Sequence, residues 1–154
     1  VAMQLTNIAR DIKEDLDRNR IYIPRDFRLN VNKNFEGLVE NKLLQNKFSS
    51  DLEVLLQIAD KIYNIAWIGI VNLPIKFRFP IAIASFLYQS IGTKIRIEKY
   101  NIWTKRIYLT KVEKFFKTFQ VLFRLISKKK VVKDIKIEKK INKILNKFKS
   151  VNCD

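Results

Sequence analysis

Asn7, Asp11 and Asp15 stand at i, i+4 and i+8, and at about 100° per residue they fill, together with Gln4, an arc roughly 80° wide on one helix. Hard oxygen ligands on successive turns, about 6 Å apart along the axis, can hold magnesium ions that keep part of their water and complete their shells with substrate phosphate. Arg10, Arg18 and Arg20 lie in the same stretch and suit the remaining phosphate charge. The same spacing also suits ordinary i, i+4 ion pairs on a solvated helix, and a bare D-x-x-x-D does not decide between the two.

The helix that must position these groups has an apolar stripe of Val1, Leu5, Ile8, Ile12 and Leu16, with Arg10, Lys13, Glu14 and Asp17 on the far side. The carboxylates therefore flank the stripe. A solvated face normally sets its charges opposite the apolar one, and charges at a core boundary need a partner to offset desolvation. A cation is one such partner.

The continuous string from Gln4 to Asp15, followed by Asn19-Arg20-Ile21-Tyr22-Ile23-Pro24, resembles the second aspartate-rich motif of the squalene and phytoene synthase family, Q-L-T-N-I-x-R-D-x-x-E-D and then G-R-x-Y-L-P. The resemblance implies that Asn7, Asp11 and Asp15 bind Mg²⁺, with Mn²⁺ as a substitute, and that the metal chelates the diphosphate of a prenyl substrate. It places Gln4, Arg10 and Tyr22 in the same pocket, gives Arg20 to the diphosphate, and makes Asp11, Asp15 and Tyr22 the catalytic set. Asn19 stands where the family has Gly, and Asn tolerates the left-handed helix-ending conformation.

Further along, Tyr88-Gln89-Ser90-Ile91-Gly92-Thr93-Lys94-Ile95-Arg96 and Trp103-x-x-Arg106-x-x-Leu109 with Lys114 are similar to a second stretch of the family, which implies substrate diphosphate contacts for Tyr88 and Arg106. On spacing alone Tyr88 also reads as a core tyrosine and Arg106 as a solvent charge. The implied fold is all-α, the C-terminal portion of an isoprenoid-synthase-type helical bundle. The implied reaction is head-to-head condensation of two geranylgeranyl diphosphates to phytoene through prephytoene diphosphate. A squalene or dehydrosqualene synthase shares these motifs, and a noncatalytic relative such as an assembly factor is a scaffold that tends to lose the aspartates retained here. The chain opens inside the helical pattern without a first aspartate-rich motif, so it is expected to be a fragment, inactive alone.

Composition agrees with a helical chain: 47% hydrophobic, 30% charged, and only three Gly and three Pro. There is no His, so His-based triads and His metal sites are excluded and any general base must be a carboxylate, Tyr, Lys or bound phosphate. The lone Cys153 rules out an internal disulfide and fits a reducing cytoplasm. The formal net charge of +16 suits an anionic membrane, a polyphosphate substrate or nucleic acid alike. No nucleic-acid partner is expected, because that reading leaves the Asn7, Asp11, Asp15 stripe unexplained.

The pattern predicts a loop over 25–34, a short helix over 37–46, and a long helix from a Ser50-Asp51-Leu52-Glu53 capping box to about Asn72, stopped by Leu73-Pro74. Pro80 is placed in the first turn of a central buried helix over 81–98. An irregular aromatic and basic connector follows over 100–109. A last amphipathic helix over 112–126 is expected to pack Val112, Phe115, Phe116, Phe119, Leu122, Phe123 and Ile126 into the core. Residues 1–127 then form the synthase portion and 128–154 a basic amphipathic tail, with ten Lys between 128 and 149. That tail suits docking on the domain, peripheral association with anionic lipid or nucleic acid.

Overall fold

The computed structural model describes residues 1–23 and 38–126. The loop expected over 25–34, Pro24, Cys153 and the tail expected over 128–149 lie outside the described residues. Among those described there are four helices and no strand: α1 (Ala2–Asp17), α2 (Lys42–Ile70), α3 (Ile75–Ile97) and α4 (Lys111–Ile126). The all-α expectation holds. Packing joins α1 to α2 and α3, and α3 to α2 and α4.

The main core takes Ile12 from α1, Leu52, Leu55 and Leu56 from α2, and Ile91 and Ile95 from α3. It also takes Ile102, Trp103, Ile107 and Leu109 from the connector, so the irregular 100–109 stretch is anchored by its apolar residues while its cations stay outside. Gly92 allows the α2–α3 approach, because a Cβ there would lie 3.2 Å from a Leu56 methyl. A polar clamp closes the same pair. Arg96 reaches Glu53 at 2.7 Å and Asp60 at 2.9 Å, and the Tyr100 hydroxyl donates to Glu53 at 2.7 Å. Burial and that bond push the Tyr100 hydroxyl up to about 12. Lys99 and Tyr100 turn the chain through φ of 51° and 59°, a left-handed pair that sends the connector back towards α1.

Three boundaries differ from expectation. The helix expected from Ser50 and the short one over 37–46 are a single α2, whose true cap is Asn41, accepting from the Leu43 and Leu44 amides at 2.9 and 3.3 Å. With the helix already running, Ser50 donates back to the Lys47 carbonyl and Glu53 is released for the α3 clamp. α3 starts at Ile75, so Pro80 lies inside it at the cost of one early backbone bond. The capping box that does form is Thr110–Glu113: the Thr110 amide donates to Glu113 at 2.7 Å, and the Glu113 amide to the Thr110 hydroxyl at 3.2 Å.

Two faces also differ. The α3 segment expected as a central buried helix is half-covered, with Ala82 buried and Ile81 exposed. The α4 aromatics do not pack the core. Val121 and Leu125 dock against Ile70 and Ala82, whereas Val112, Phe115, Phe116, Phe119, Phe123 and Ile126 are all more than 60% exposed. The helix turns its weaker apolar edge inward because the inward edge also carries its polar anchors. Lys94 meets both oxygens of Glu113 at 2.7 Å, and Arg124 stacks on Trp67 at 4.1 Å.

The Lys94 bonds and the Thr110 amide pull the Glu113 carboxyl down to about 2 from an ordinary 4.5. A lowered folded-state pKa stabilises fully above the ordinary value and is lost as pH falls through the folded one. Between about pH 4.5 and 2, α4 should therefore loosen, read by Trp67 emission in a Trp103→Phe background. Glu113→Gln should remove that part of the acid profile; an unchanged profile would contradict the anchoring role.

Candidate metal and diphosphate site

Small residues set the rotation of α1. Ala2, Thr6 and Ala9 are buried with Ile12, so the face pressed to the bundle is rolled roughly 60° from the Val1–Ile8–Leu16 stripe, taking about 100° per residue. Val1 is exposed, and Ile8 is left half-buried as a wall of the cleft. The roll is pinned by one buried bond. Thr6 donates its hydroxyl hydrogen to the Ala2 carbonyl at 3.2 Å, which leaves Tyr63 of α2 to donate to Thr6 at 3.1 Å. Burial pushes the Tyr63 hydroxyl up to about 12, so it remains a donor at any physiological pH.

The carboxylate edge then borders an open cleft of about 290 Å³ lined by Gln4, Asn7, Ile8, Arg10, Asp11, Asp15 and Tyr22. Six residues expected in one pocket are thus together. Asn19 ends the helix with φ 56°, and the Arg20 amide returns to the Asp15 carbonyl at 2.8 Å, which brings Tyr22 round to the cleft. Arg20 lines a smaller adjoining recess with Ile12, Leu16 and Ile23, which shares Ile8, Asp15 and Tyr22 with the cleft. Tyr88 does not line the cleft. It packs half-buried between two apolar clusters, close enough to Arg10 to favour that side chain's charge.

Asp11 is the electrostatic centre. Arg10 grips it with Nε at 2.8 Å and Nη2 at 2.6 Å, and Arg106, ninety-five residues away, donates Nε at 3.0 Å. Burial alone would raise the Asp11 carboxyl, but the Arg10 bonds and the Arg10 and Arg106 charges outweigh it and hold it below the ordinary value. Asp15 goes the other way. Burial raises it, and the neighbouring Asp11 and Glu14 charges add to the rise. A dication beside Asp15 would relieve that repulsion.

Glu14 is the residue that sequence reasoning set aside. Assigned to the far side, it instead pairs with Arg18 at 2.8 Å and Arg106 at 3.5 Å, completing the polar rim. The i, i+4 spacing to Arg18 marks only an ordinary surface pair; the second partner, Arg106, comes from the connector and leaves no local signal. Among the described residues no group of three or more Asp, Glu, His or Cys side chains converges as a metal shell. The fit rests on another observation: the buried Asn7 Oδ1 has no hydrogen-bond partner among the described residues. An orphaned buried amide oxygen beside two carboxylates is a donor set suited to a hard cation, with the remaining shell left to water and phosphate.

The description "squalene/phytoene synthase" belongs to the family model that matches residues 1–113. Phytoene synthase of Cereibacter sphaeroides is 33% identical over 114 residues, covering 74% of this chain and 32% of that protein. Chloroplastic phytoene synthase 1 of Arabidopsis thaliana is 33% identical over the same share of this chain and 27% of its own length. Phytoene synthase of Arthrospira platensis is 34% identical over 71% of this chain and 35% of its own. The chain thus spans about a third of the length of these relatives.

Asn7 gives the cleft a stability signature of its own. A buried unpaired polar group costs about 1–3 kcal/mol, so Asn7→Ala should leave the thermal midpoint unchanged or raise it by about 2–4 °C per kcal/mol gained. A fall of that size would show that Asn7 serves the fold.

Proposed function

The chain belongs to the squalene/phytoene synthase family, and on that premise we propose that it supplies one side of the metal and diphosphate site of a head-to-head prenyl synthase, the reaction being condensation of two geranylgeranyl diphosphates to phytoene. Its fold is accordingly of the all-α isoprenoid-synthase type. The observation that carries the reading is the cleft where Asn7, Asp11 and Asp15 share an edge with Arg10 and Tyr22. Since the chain spans about a third of its relatives, the activity is that of a complete synthase, with the opposing carboxylates contributed from outside these residues.

In the proposed site Asn7, Asp11 and Asp15 hold Mg²⁺ or Mn²⁺, which when bound would neutralise charge on the departing diphosphate. Arg10 and Arg106 take phosphate oxygens as bidentate donors, with Arg20 and Gln4 at the margin. Tyr22, 53% exposed at the cleft, presents a hydroxyl to the leaving group. Tyr88, packed between two apolar clusters behind the cleft, has no direct diphosphate contact in this reading. Relatives named phytoene synthase support geranylgeranyl over farnesyl diphosphate; a farnesyl-selective enzyme making squalene or dehydrosqualene is the second reading. Retention of Asp11 and Asp15 favours an enzyme over a noncatalytic scaffold.

We extend the proposal to peripheral association with an anionic membrane. No helix among the described residues is long and apolar enough to cross one. The α4 aromatic face, bordered by Lys111, has the chemistry of an interfacial helix. The lysines of 128–149 follow it in sequence.

In a synthase containing this chain, Asp11→Asn should abolish phytoene formation from geranylgeranyl diphosphate with the helical spectrum unchanged, and a fully active variant would sink the site assignment. Flotation with phosphatidylserine vesicles should fall in high salt, each surface lysine being worth on the order of 1 kcal/mol before screening. Phe116→Ser with Phe119→Ser and Phe123→Ser should weaken it further; flotation indifferent to both changes would remove the membrane proposal.

A further inference from the structure

We infer that Arg106 makes cation binding at Asp11 conditional on a diphosphate, by occupying the carboxylate until an anion draws its guanidinium away. The inference rests on the reading of the α1 edge as a metal and diphosphate site.

An ionised carboxylate offers about four acceptor positions, and three at Asp11 are filled: Oδ1 by Arg10 Nε and Arg106 Nε, Oδ2 by Arg10 Nη2. A dication arriving alone meets a ligand whose lone pairs are largely committed, flanked by two positive charges. It must either accept the last position against that repulsion or displace a guanidinium that would keep only its longer contact to Glu14.

A diphosphate changes both terms. Its oxygens match the planar fork of a guanidinium at least as well as a carboxylate does, so the arginine can exchange Asp11 for phosphate as the cation takes the vacated oxygen. The two arginines are not equivalent in this. Arg10 is only 16% exposed and bound to its sequence neighbour, whereas Arg106 is 54% exposed and comes from the connector. Arg106 is therefore the side chain free to move, and Glu14, 3.5 Å from its Nη1, keeps it at the rim in either position. Arg106 is in this sense a positioning residue for the metal as well as a donor to the substrate.

The test uses Mn²⁺ with and without inorganic pyrophosphate, followed by electron paramagnetic resonance of free Mn²⁺, on the full chain. Binding couplings are reciprocal and commonly span about 5–150-fold. In the wild type pyrophosphate should tighten Mn²⁺ binding within that range. Arg106→Gln should tighten Mn²⁺ binding without pyrophosphate by about fivefold or more and shrink the pyrophosphate effect by a similar factor. Arg106→Lys, which keeps the charge but loses the fork, should fall between. Lys105→Gln removes a charge from the same connector, where its partner is Glu98 at 3.4 Å, without touching Asp11, and should leave the pyrophosphate effect unchanged. Equal coupling in wild type and Arg106→Gln, or an equal loss in Lys105→Gln, would overturn the inference while leaving the site intact. Absence of Mn²⁺ binding in the wild type with pyrophosphate present would overturn the site reading and the inference with it.

Discussion

Asp11 lies where an apolar core meets a polar cleft, and the two guanidinium groups that share it hold its carboxyl below the ordinary value against the effect of burial. Arg10 comes from the adjacent position and Arg106 from the connector, so the charge balance at the cleft depends on where 101–109 is laid down. That path is set by apolar burial of Ile102, Trp103, Ile107 and Leu109 and by the left-handed turn at Lys99 and Tyr100. The Arg96–Glu53–Tyr100 clamp fixes the turn. Electrostatics at the site is in this way a consequence of packing well away from it.

Close approach of the helices sets which groups line the cleft. Alanine and threonine on the inward face of α1 let it lie against the bundle, and Tyr63 locks the rotation through Thr6. With larger residues at Ala2 and Ala9 the helix would roll back towards its apolar stripe, carrying Asn7 and Asp11 out of register with Arg106. The same rotation leaves Asn7 Oδ1 unpaired and Asp15 raised by its acidic neighbours. Both are unfavourable for the fold and useful for holding a cation, the usual exchange between stability and function.

Much of this was legible in the sequence. The i, i+4, i+8 oxygen edge, the helical end at Asn19, the α2 positions Leu52, Leu55, Leu56, Ala59 and Tyr63, and the break at Leu73-Pro74 all follow from spacing and backbone chemistry. The misses share one cause. A Ser-x-x-Glu string at Ser50 and a Thr-x-x-Glu string at Thr110 look alike, but an earlier Asn41 cap had already started α2, so only the second became a cap. The aromatic stripe of α4 has a core-like period, yet Lys94, Trp67 and the groove between Ile70 and Ala82 select the opposite edge. Glu14 and Arg106 meet only through tertiary structure. Periodicity tells which residues share a face, not which face a neighbour will claim.

The account holds that a dication and a diphosphate meet on the Asn7, Asp11, Asp15 edge of α1. Paramagnetic broadening of amide resonances by Mn²⁺, in the isotopically labelled chain with pyrophosphate present, tests this most directly. Broadening centred on residues 7–15 and on Arg106 is the predicted result. Broadening centred instead on the acidic clamp of Glu53 and Asp60, or none in α1, would contradict it.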